Sequence, residues 1–343
     1  FIANVIMVFT GAYTYLQWVR EATFGTEATA IQSGGEQFGF EQKITGWSFT
    51  NNKIALSQLN DVRVKTYAYG QTRGSISFDF VLSSPWFLGL VGFKDAGTTG
   101  AGPYVHTWDL TTCANKIDSF TTQVGQCQGG TDIVRTLTGG IVNSASISTS
   151  VGELARVTLD TNYKNETLTS SLDSTPAGLC VSDHIPFTFA HGSLEFPDCT
   201  TIGEVQCVDI TITQNADHIW GIGDSTANSA IRRLTEVTGK MKFSHVDKSQ
   251  LIKLYAQQNN TLCNDSAGAQ TLAAEQPTLT LKFDNGASST DSRIIEFNLT
   301  GIALDDHNLS IEPNEPIFEE ISFQARGATV VATNNTSTIP AAS

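Results

Sequence analysis

The sequence predicts a mainly β chain of two tandem domains, each flanked by a short α-helix, behind an N-terminal arm. Three observations carry this. The stretch Leu137 to Glu153, LTGGIVNSASISTSVGE, returns without a gap 162 positions later at Leu299 to Glu315, as LTGIALDDHNLSIEPNE, with an identical Leu-Thr-Gly start. A second block, Gly74-Ser-Ile-Ser-Phe78, returns 165 positions later as Gly239-Lys-Met-Lys-Phe243. Two blocks in the same order at nearly the same offset indicate one domain of ~120 residues present twice. Third, charged residues make up only 16% of the chain against 40% hydrophobic ones, many β-branched, a balance that suits a folded β protein and not a disordered one.

The arm, residues 1–33, has no counterpart before the second copy. Tyr13, Tyr15 and Gln17 alternate with Thr14 and Leu16 as in a strand, and Glu21 to Thr26 is a turn. An arm without a core of its own packs on its own subunit or on a neighbour, and Tyr13, Tyr15, Trp18 and Phe24 are its candidate contact residues. The natural start is expected at Met7, with the first six residues an upstream extension or a processed leader.

The first domain, 34–164, opens with Trp47 and Phe49 alternating with polar neighbours, as do Ile76, Phe78 and Phe80, so both segments are strands with one buried face. Between them, Asn51 to Thr72 is polar and too long for a tight hairpin, so it is expected to be a binding loop. Ser83-Ser84-Pro85 starts a short helix over Trp86 to Val91, which Gly92 stops. Ala96 to Gly102 is expected as a loop, Tyr104 to Leu110 as a strand, and Thr112 to Thr131 as a polar insertion. Strands around Ser144 to Ser148 and Leu154 to Thr161, joined at Val151-Gly152, form a hairpin.

Residues 165–203 are the expected connection between domains. The second domain, 204–330, repeats the plan with strands at Ile210 and Ile212, a loop from Asn215 to Asn228, and the glycine-led strand Glu236 to His245. Asp247 caps a helix that lines one face with Leu251, Ile252, Leu254 and Tyr255. Leu279, Leu281 and Phe283 alternate up to the turn Asp284-Asn285-Gly286; strands at Ile294 to Thr300, Leu309 to Ile311 and Phe318 to Ala325 complete the copy. Residues 331–343 are expected as a loose tail.

Twenty basic and 34 acidic residues give a net charge of −14, which excludes gripping nucleic acid by its phosphates but not letting it pass. No run approaches the ~18 apolar residues of a transmembrane helix. Gly223-Asp224-Ser225 has the form of a hydrolase nucleophile block, but the only Asp and His near the end, Asp305-Asp306-His307, have the wrong spacing, and such a tripeptide in a β domain is a turn. His184, His191, Cys199 and Cys207 match no compact zinc-ligand pair. No cofactor, metal or enzymatic chemistry is expected. Cys113 with Cys127, and Cys199 with Cys207, bracket segments that disulfides could close; free thiols are the alternative.

Thr10-Gly-Ala-Tyr-Thr-Tyr15 followed by Glu21-Ala-Thr-Phe-Gly-Thr26 resembles the opening of tail tube proteins of tailed bacterial and archaeal viruses. Val142 to Ser148 with Val151 to Asp160, and Ile210 to Asn215 with Leu234 to Phe243, are similar to that family's strand pairs. The resemblance implies a small β-sandwich or barrel flanked by a helix, with a long loop and an N-terminal arm, assembled into stacked rings. Where six one-domain subunits make a ring, two fused copies imply three, in pseudo-six-fold symmetry. With ~4 strands per domain on a shared inner sheet, ~24 strands give a backbone diameter of roughly 48 Å, wider than a B-form duplex.

The resemblance further implies a virion structural protein of the tail, extracellular after release, that stacks into a hollow tube through which viral double-stranded DNA passes without specific binding. Partners are other copies of the chain and tail terminator, tail tip and tape-measure proteins; no membrane is involved. The ring-to-ring contacts fall on Lys53, Leu56, Leu59, Asp61 and Arg63 of the first loop and on His218, Trp220 and Asp224 of the second. A pilus, sheath or adhesin subunit of tandem β-sandwiches is the alternative.

Overall fold

The computed structural model describes residues 14–32, 35–100, 102–110, 117–127, 132–172, 184–195, 204–245, 278–287, 291–311, 313 and 316–337. The chain is mainly β. Its strands are β1 (Thr14–Arg20), β2 (Phe40–Ser57), β3 (Val64–Val81), β4 (Phe93–Thr99), β5 (Tyr104–Leu110), β6 (Phe120–Gln126), β7 (Ile133–Ser150), β8 (Arg156–Tyr163), β9 (Asn165–Thr169), β10 (Gly192–Glu195), β11 (Val205–Thr213), β12 (Asp217–Ile219), β13 (Ser229–Ile231), β14 (Glu236–Ser244), β15 (Thr278–Asp284), β16 (Ile294–Ser310) and β17 (Phe318–Asn334). All but β12 and β13 belong to one 15-stranded sheet, whose main path runs β10-β15-β16-β17-β14-β11-β7-β8-β3-β2.

That path contains one four-strand order twice. β16-β17-β14-β11 and β7-β8-β3-β2 occupy equivalent places, and β11 pairs with β7 to join the two sets edge to edge. The bulges repeat as well: β7 slips against β8 between Val142 and Ser144, and β16 slips against β17 between Leu304 and Asp306, 162 positions on. β2 slips against β3 between Ile44 and Gly46, and β11 slips against β14 between Val205 and Cys207. Bulges bend a strand and set where its pairing ends, so their repetition means that the two halves curve alike.

The shared Leu-Thr-Gly marks the place where a strand changes partners. As far as Gly140, β7 pairs with β6 and β9; from Ile141 on, it pairs with β8 and then β11. Before Gly301, β16 pairs with β15; beyond it, the strand continues on β17 alone among the described residues. Gly139 has φ 68° and Gly301 φ 67°, a left-handed turn in mid-strand that a side chain resists, which accounts for glycine at both places.

The core follows from the alternation. Ile76, Phe78 and Phe80 on β3, Ala145 and Ile147 on β7, Val208, Ile210 and Ile212 on β11, and Leu279, Leu281 and Phe283 on β15 are all buried in one cluster that runs through both halves. Among the described residues strands pair across the halves at β11–β7 and at β5–β17, which is why the two halves share that cluster.

Several expectations are corrected. Asn51 to Thr72 is no loop: β2 and β3 pair as far as Ser57 with Val64, because Ile54, Val64, Thr66, Tyr67 and Tyr69 favour extended backbone more strongly than the polar residues among them favour a coil. Ala96 to Thr99 belongs to β4, and the polar insertion contains β6, whose Phe120 and Val124 are buried. The connection contains β9, paired with β7. β17 runs to Asn334, past the expected start of the tail. The helix at Trp86 is one 3-10 turn, Trp86–Gly89, because a four-residue segment buried on every side gains more from packing than from a second helical turn. The helix expected after Asp247 lies outside the described residues.

Candidate functional site

Three exposed features stand out, and the first two carry the ring-contact candidates other than His218. The first is the β2–β3 hairpin. Its outer part is exposed on both faces, with Leu59 97%, Val62 105% and Tyr69 73% exposed. Cross-strand pairs sort it into an aliphatic face, where Ile54 lies opposite Ala68 and Leu56 opposite Thr66, and an aromatic one, where Ala55 lies opposite Tyr67 and Lys53 opposite Tyr69. The Lys53 ammonium sits 5.8 Å from the Tyr69 ring centre. At the tip, Asp61 accepts from the Arg63 backbone N–H at 3.0 Å and from its Nε at 3.3 Å, so these two candidates hold the turn.

The second feature is the loop after β11, carried on the two-stranded ribbon of β12 and β13. It touches the base of the hairpin. The Thr72 N–H donates to the Ser225 carbonyl at 2.8 Å, and the Arg73 guanidinium lies 4.6 Å over the Trp220 ring. The two segments expected to serve ring contacts are therefore side by side at one end of the sheet. Asp224 takes a 2.6 Å bond from Asn228 and shapes the turn that exposes Ile222 fully. Sequence reading missed Tyr67, Tyr69, Val62 and Ile222; the alternating β-branched and aromatic residues of Val64 to Tyr69 were the available signal for the first two.

His218 differs from the other candidates. It is 6% exposed, and its Nε2 donates to the Gly139 carbonyl at 3.2 Å. Its ring meets Phe24 and Trp220 edge-on at 5.7 and 5.9 Å, which ties the arm, β7 and the second loop together. Burial holds the imidazole below its ordinary value, assisted by Arg73 and Lys164 and opposed by the Gly139 carbonyl and Asp217. With the folded value depressed, the unfolded chain takes the proton first as pH falls. The contribution is thus full above about pH 6.5 and is lost as the pH falls through the folded value. His218→Gln, which keeps an N–H for Gly139, is expected to flatten the loss of unfolding free energy on acidification below about pH 6.5. Denaturant titrations across that range check this, and an unchanged slope refutes it.

The arm packs on its own chain. β1 pairs with β6 along its whole length, Trp18 is 1% exposed against Phe38, and the Tyr15 hydroxyl donates to Gln123 at 3.0 Å. Phe24 lies beneath the Lys164 ammonium, and Tyr13 lies outside the described residues. Glu21, not singled out from sequence, is the hub: its carboxylate accepts from Thr121 Oγ1 at 2.9 Å and from the backbone N–H groups of Gly139 and Gly25, each at 2.8 Å. A buried carboxylate is tolerable because all three donors converge on it.

The third feature is a pair of open strand edges. Among the described residues β2 pairs only with β3, and β16 beyond Gly301 pairs only with β17. Phe49 on β2 is 43% exposed, and Leu309 and Ile311 at the end of β16 are 41% and 68% exposed. Behind Phe49, Tyr163 is anchored by the Trp47 indole N–H at 3.2 Å, and burial pushes its phenol up to about 12.

Cys127 is exposed and Cys207 half-buried, both as free thiols; Cys113 and Cys199 lie outside the described residues. His184 bonds Ser83 at 3.2 Å, and His191 folds back onto Thr188. Among the described residues no three His, Cys, Asp or Glu side chains are grouped to hold a metal ion, and no helix is long and apolar enough to cross a membrane. A family model described as a phage tail tube protein matches residues 11–325. No curated protein matches the chain.

Proposed function

Because the chain belongs to the phage tail tube protein family, a structural component of the virion tail, we propose that three copies close into a ring of six equivalent places and that the rings stack into a hollow tube conducting viral DNA. The observation that carries the reading is the four-strand order present twice in one sheet, joined at β11–β7. That joint is heterologous, one edge type meeting another, and the same two edge types are open on β2 and on β16 beyond Gly301. Repetition of such a contact closes a ring when the rotation fits. Closure also removes open edges that otherwise invite uncontrolled pairing.

Eight strands per chain and three chains give ~24 strands, a backbone diameter of roughly 48 Å. The face opposite the core would line the channel. It carries Ser75, Ser77, Ser146, Ser148 and Thr211; Arg156 bridges Asp79 at 2.6 Å and Glu41 at 3.1 Å, and Asp160 accepts from Ser77 and Ser144. Hydroxyls offer phosphate no ion pairs, and the chain's excess of acid repels it, so DNA slides without sticking. The hairpin and the second loop would meet the next ring. Tail terminator, tail tip and tape-measure proteins would cap and fill the tube.

Electron microscopy of the polymerised protein tests this. The expected image is a hollow tube with a channel wider than a B-form duplex and three chains per ring. A thin solid fibre would support a pilus or sheath subunit instead, and six chains per ring would refute the fused-pair arrangement.

A further inference from the structure

The two open strand edges, that of β2 at one end of the path and that of β16 beyond Gly301, are the repeat equivalents of the two edges joined inside it. At the internal joint β11 runs antiparallel to β7 from Cys207 opposite Ser150 to Thr213 opposite Ser144. The matched bulges place Val142 and Ser144 of β7 on Leu304 and Asp306 of β16, an offset of 162. They likewise place Ile44 and Gly46 of β2 on Val205 and Cys207 of β11, an offset of 161. The glycines agree: Phe49 lies opposite Gly74, and Ile210 lies opposite Gly239.

Applied to the internal register, these offsets specify an external one. Ile210 opposite Ile147 becomes Phe49 opposite Leu309, Thr211 opposite Ser146 becomes Thr50 opposite Asn308, and Val208 opposite Thr149 becomes Trp47 opposite Ile311. Burial supports the correspondence. Ile210 and Ile147 are both 0% exposed, whereas Phe49 and Leu309, on the corresponding open edges, are 43% and 41% exposed. On the polar face, Thr211 Oγ1 donates to Ser146 Oγ at 3.2 Å across the internal joint, and Thr50 and Asn308 offer a hydroxyl and an amide for the same purpose.

We infer that neighbouring chains join by antiparallel pairing of β2 of one with the distal half of β16 of the next, in the register that sets Phe49 against Leu309 and Thr50 against Asn308. The occupant of each edge is a second copy of this chain. This rests on the tube reading and adds to it the strands, their direction and their register.

The test uses full-length Thr50→Cys/Asn308→Cys polymers, oxidised and run without reductant. Directly opposite antiparallel residues have Cα atoms about 4.5 or 5.5 Å apart, within the disulfide range. Covalent dimers and trimers with no higher species are expected, and peptide mapping should place the bridge between positions 50 and 308, apart from the native thiols. The out-of-register pair Ser48→Cys/Asn308→Cys should give less than about a tenth of that yield, its residues lying two positions apart along the strand. Tubes lacking the 50–308 bridge, or bridging equally well out of register, would overturn the seam while leaving the tube reading intact. Failure of the unmodified chain to form hollow tubes would instead overturn that reading. If the double variant does not polymerise, Phe49→Glu and Leu309→Glu serve: each should cut the polymer fraction by about tenfold or more in a folded monomer, because a charge would be buried at the seam. Full polymerisation of either would refute the seam.

Discussion

Removing Lys53 to Tyr69 leaves a folded monomer that no longer polymerises. The deletion joins Asn52 to Gly70 and leaves three residues, Asn52, Gly70 and Gln71, between the paired Asn51 and Thr72, a common hairpin-loop length that lets the shortened β2–β3 pair close. Little of the core is lost, since the removed residues are exposed apart from the half-buried Asp61 and Ala68. The anchors at the base remain, with Thr72 on Ser225 and Arg73 over Trp220. The unfolding free energy should therefore change by no more than about 1 kcal/mol.

Polymerisation is another matter. A two-stranded hairpin standing alone is marginal in water, and this one is apolar on both faces, with Ile54, Leu56 and Val64 on one and Tyr67 and Tyr69 on the other. Such a ribbon gains its stability by insertion between neighbours, and an exposed patch of this kind marks an interaction surface. Sedimentation and electron microscopy of the variant check the outcome. If it forms tubes as readily as the parent chain, the hairpin is a solvated connection and the ring-contact assignment fails.

The sequence disclosed the repeat, the strands with one buried face and the family resemblance, because each writes a local pattern: alternation at Ile76, Phe78 and Phe80, or a left-handed glycine after Leu-Thr. It misrepresented segments whose structure depends on partners far along the chain. β6 looked like a polar insertion because its Thr121, Thr122 and Gln123 are buried between β1 and β7, where Gln123 takes bonds from Tyr15 and Gln17. β9 is an edge strand that pairs with β7 only over five residues. Glu21 was invisible as a hub because its three donors, at Gly25, Thr121 and Gly139, are distant from one another in sequence. His218 was expected at a ring contact and lies inside, because the loop that carries it folds back onto Gly139.

The repeat's second block makes the other large prediction: Gly74→Ala and Gly239→Ala each destabilise the fold by about 1–3 kcal/mol, at the upper end of that range. In both halves an aromatic ring from the adjacent strand occupies the space where a Cβ on the glycine would go. A Cβ at position 74 would stand 2.2 Å from the Tyr163 ring, and one at 239 would stand 2.3 Å from the Phe323 ring and 2.7 Å from the Asp209 carbonyl oxygen. Neither ring has room to yield. Tyr163 is 1% exposed, and its hydroxyl lies between the Trp47 indole and the Glu166 carboxylate; Phe323 is 1% exposed within the shared core. The backbone would have to shift at a strand that also sets the register of β2 or β11, so the damage extends to the seams. Phe323→Leu should be mildly destabilising alone, yet it should recover part of the loss when combined with Gly239→Ala, giving a coupling of about 0.5–3 kcal/mol in a double-mutant cycle. Denaturant unfolding of the four proteins measures it. Alanine tolerated at both glycines within about 0.5 kcal/mol would show that the ring-over-glycine contact does not account for the repeated glycine.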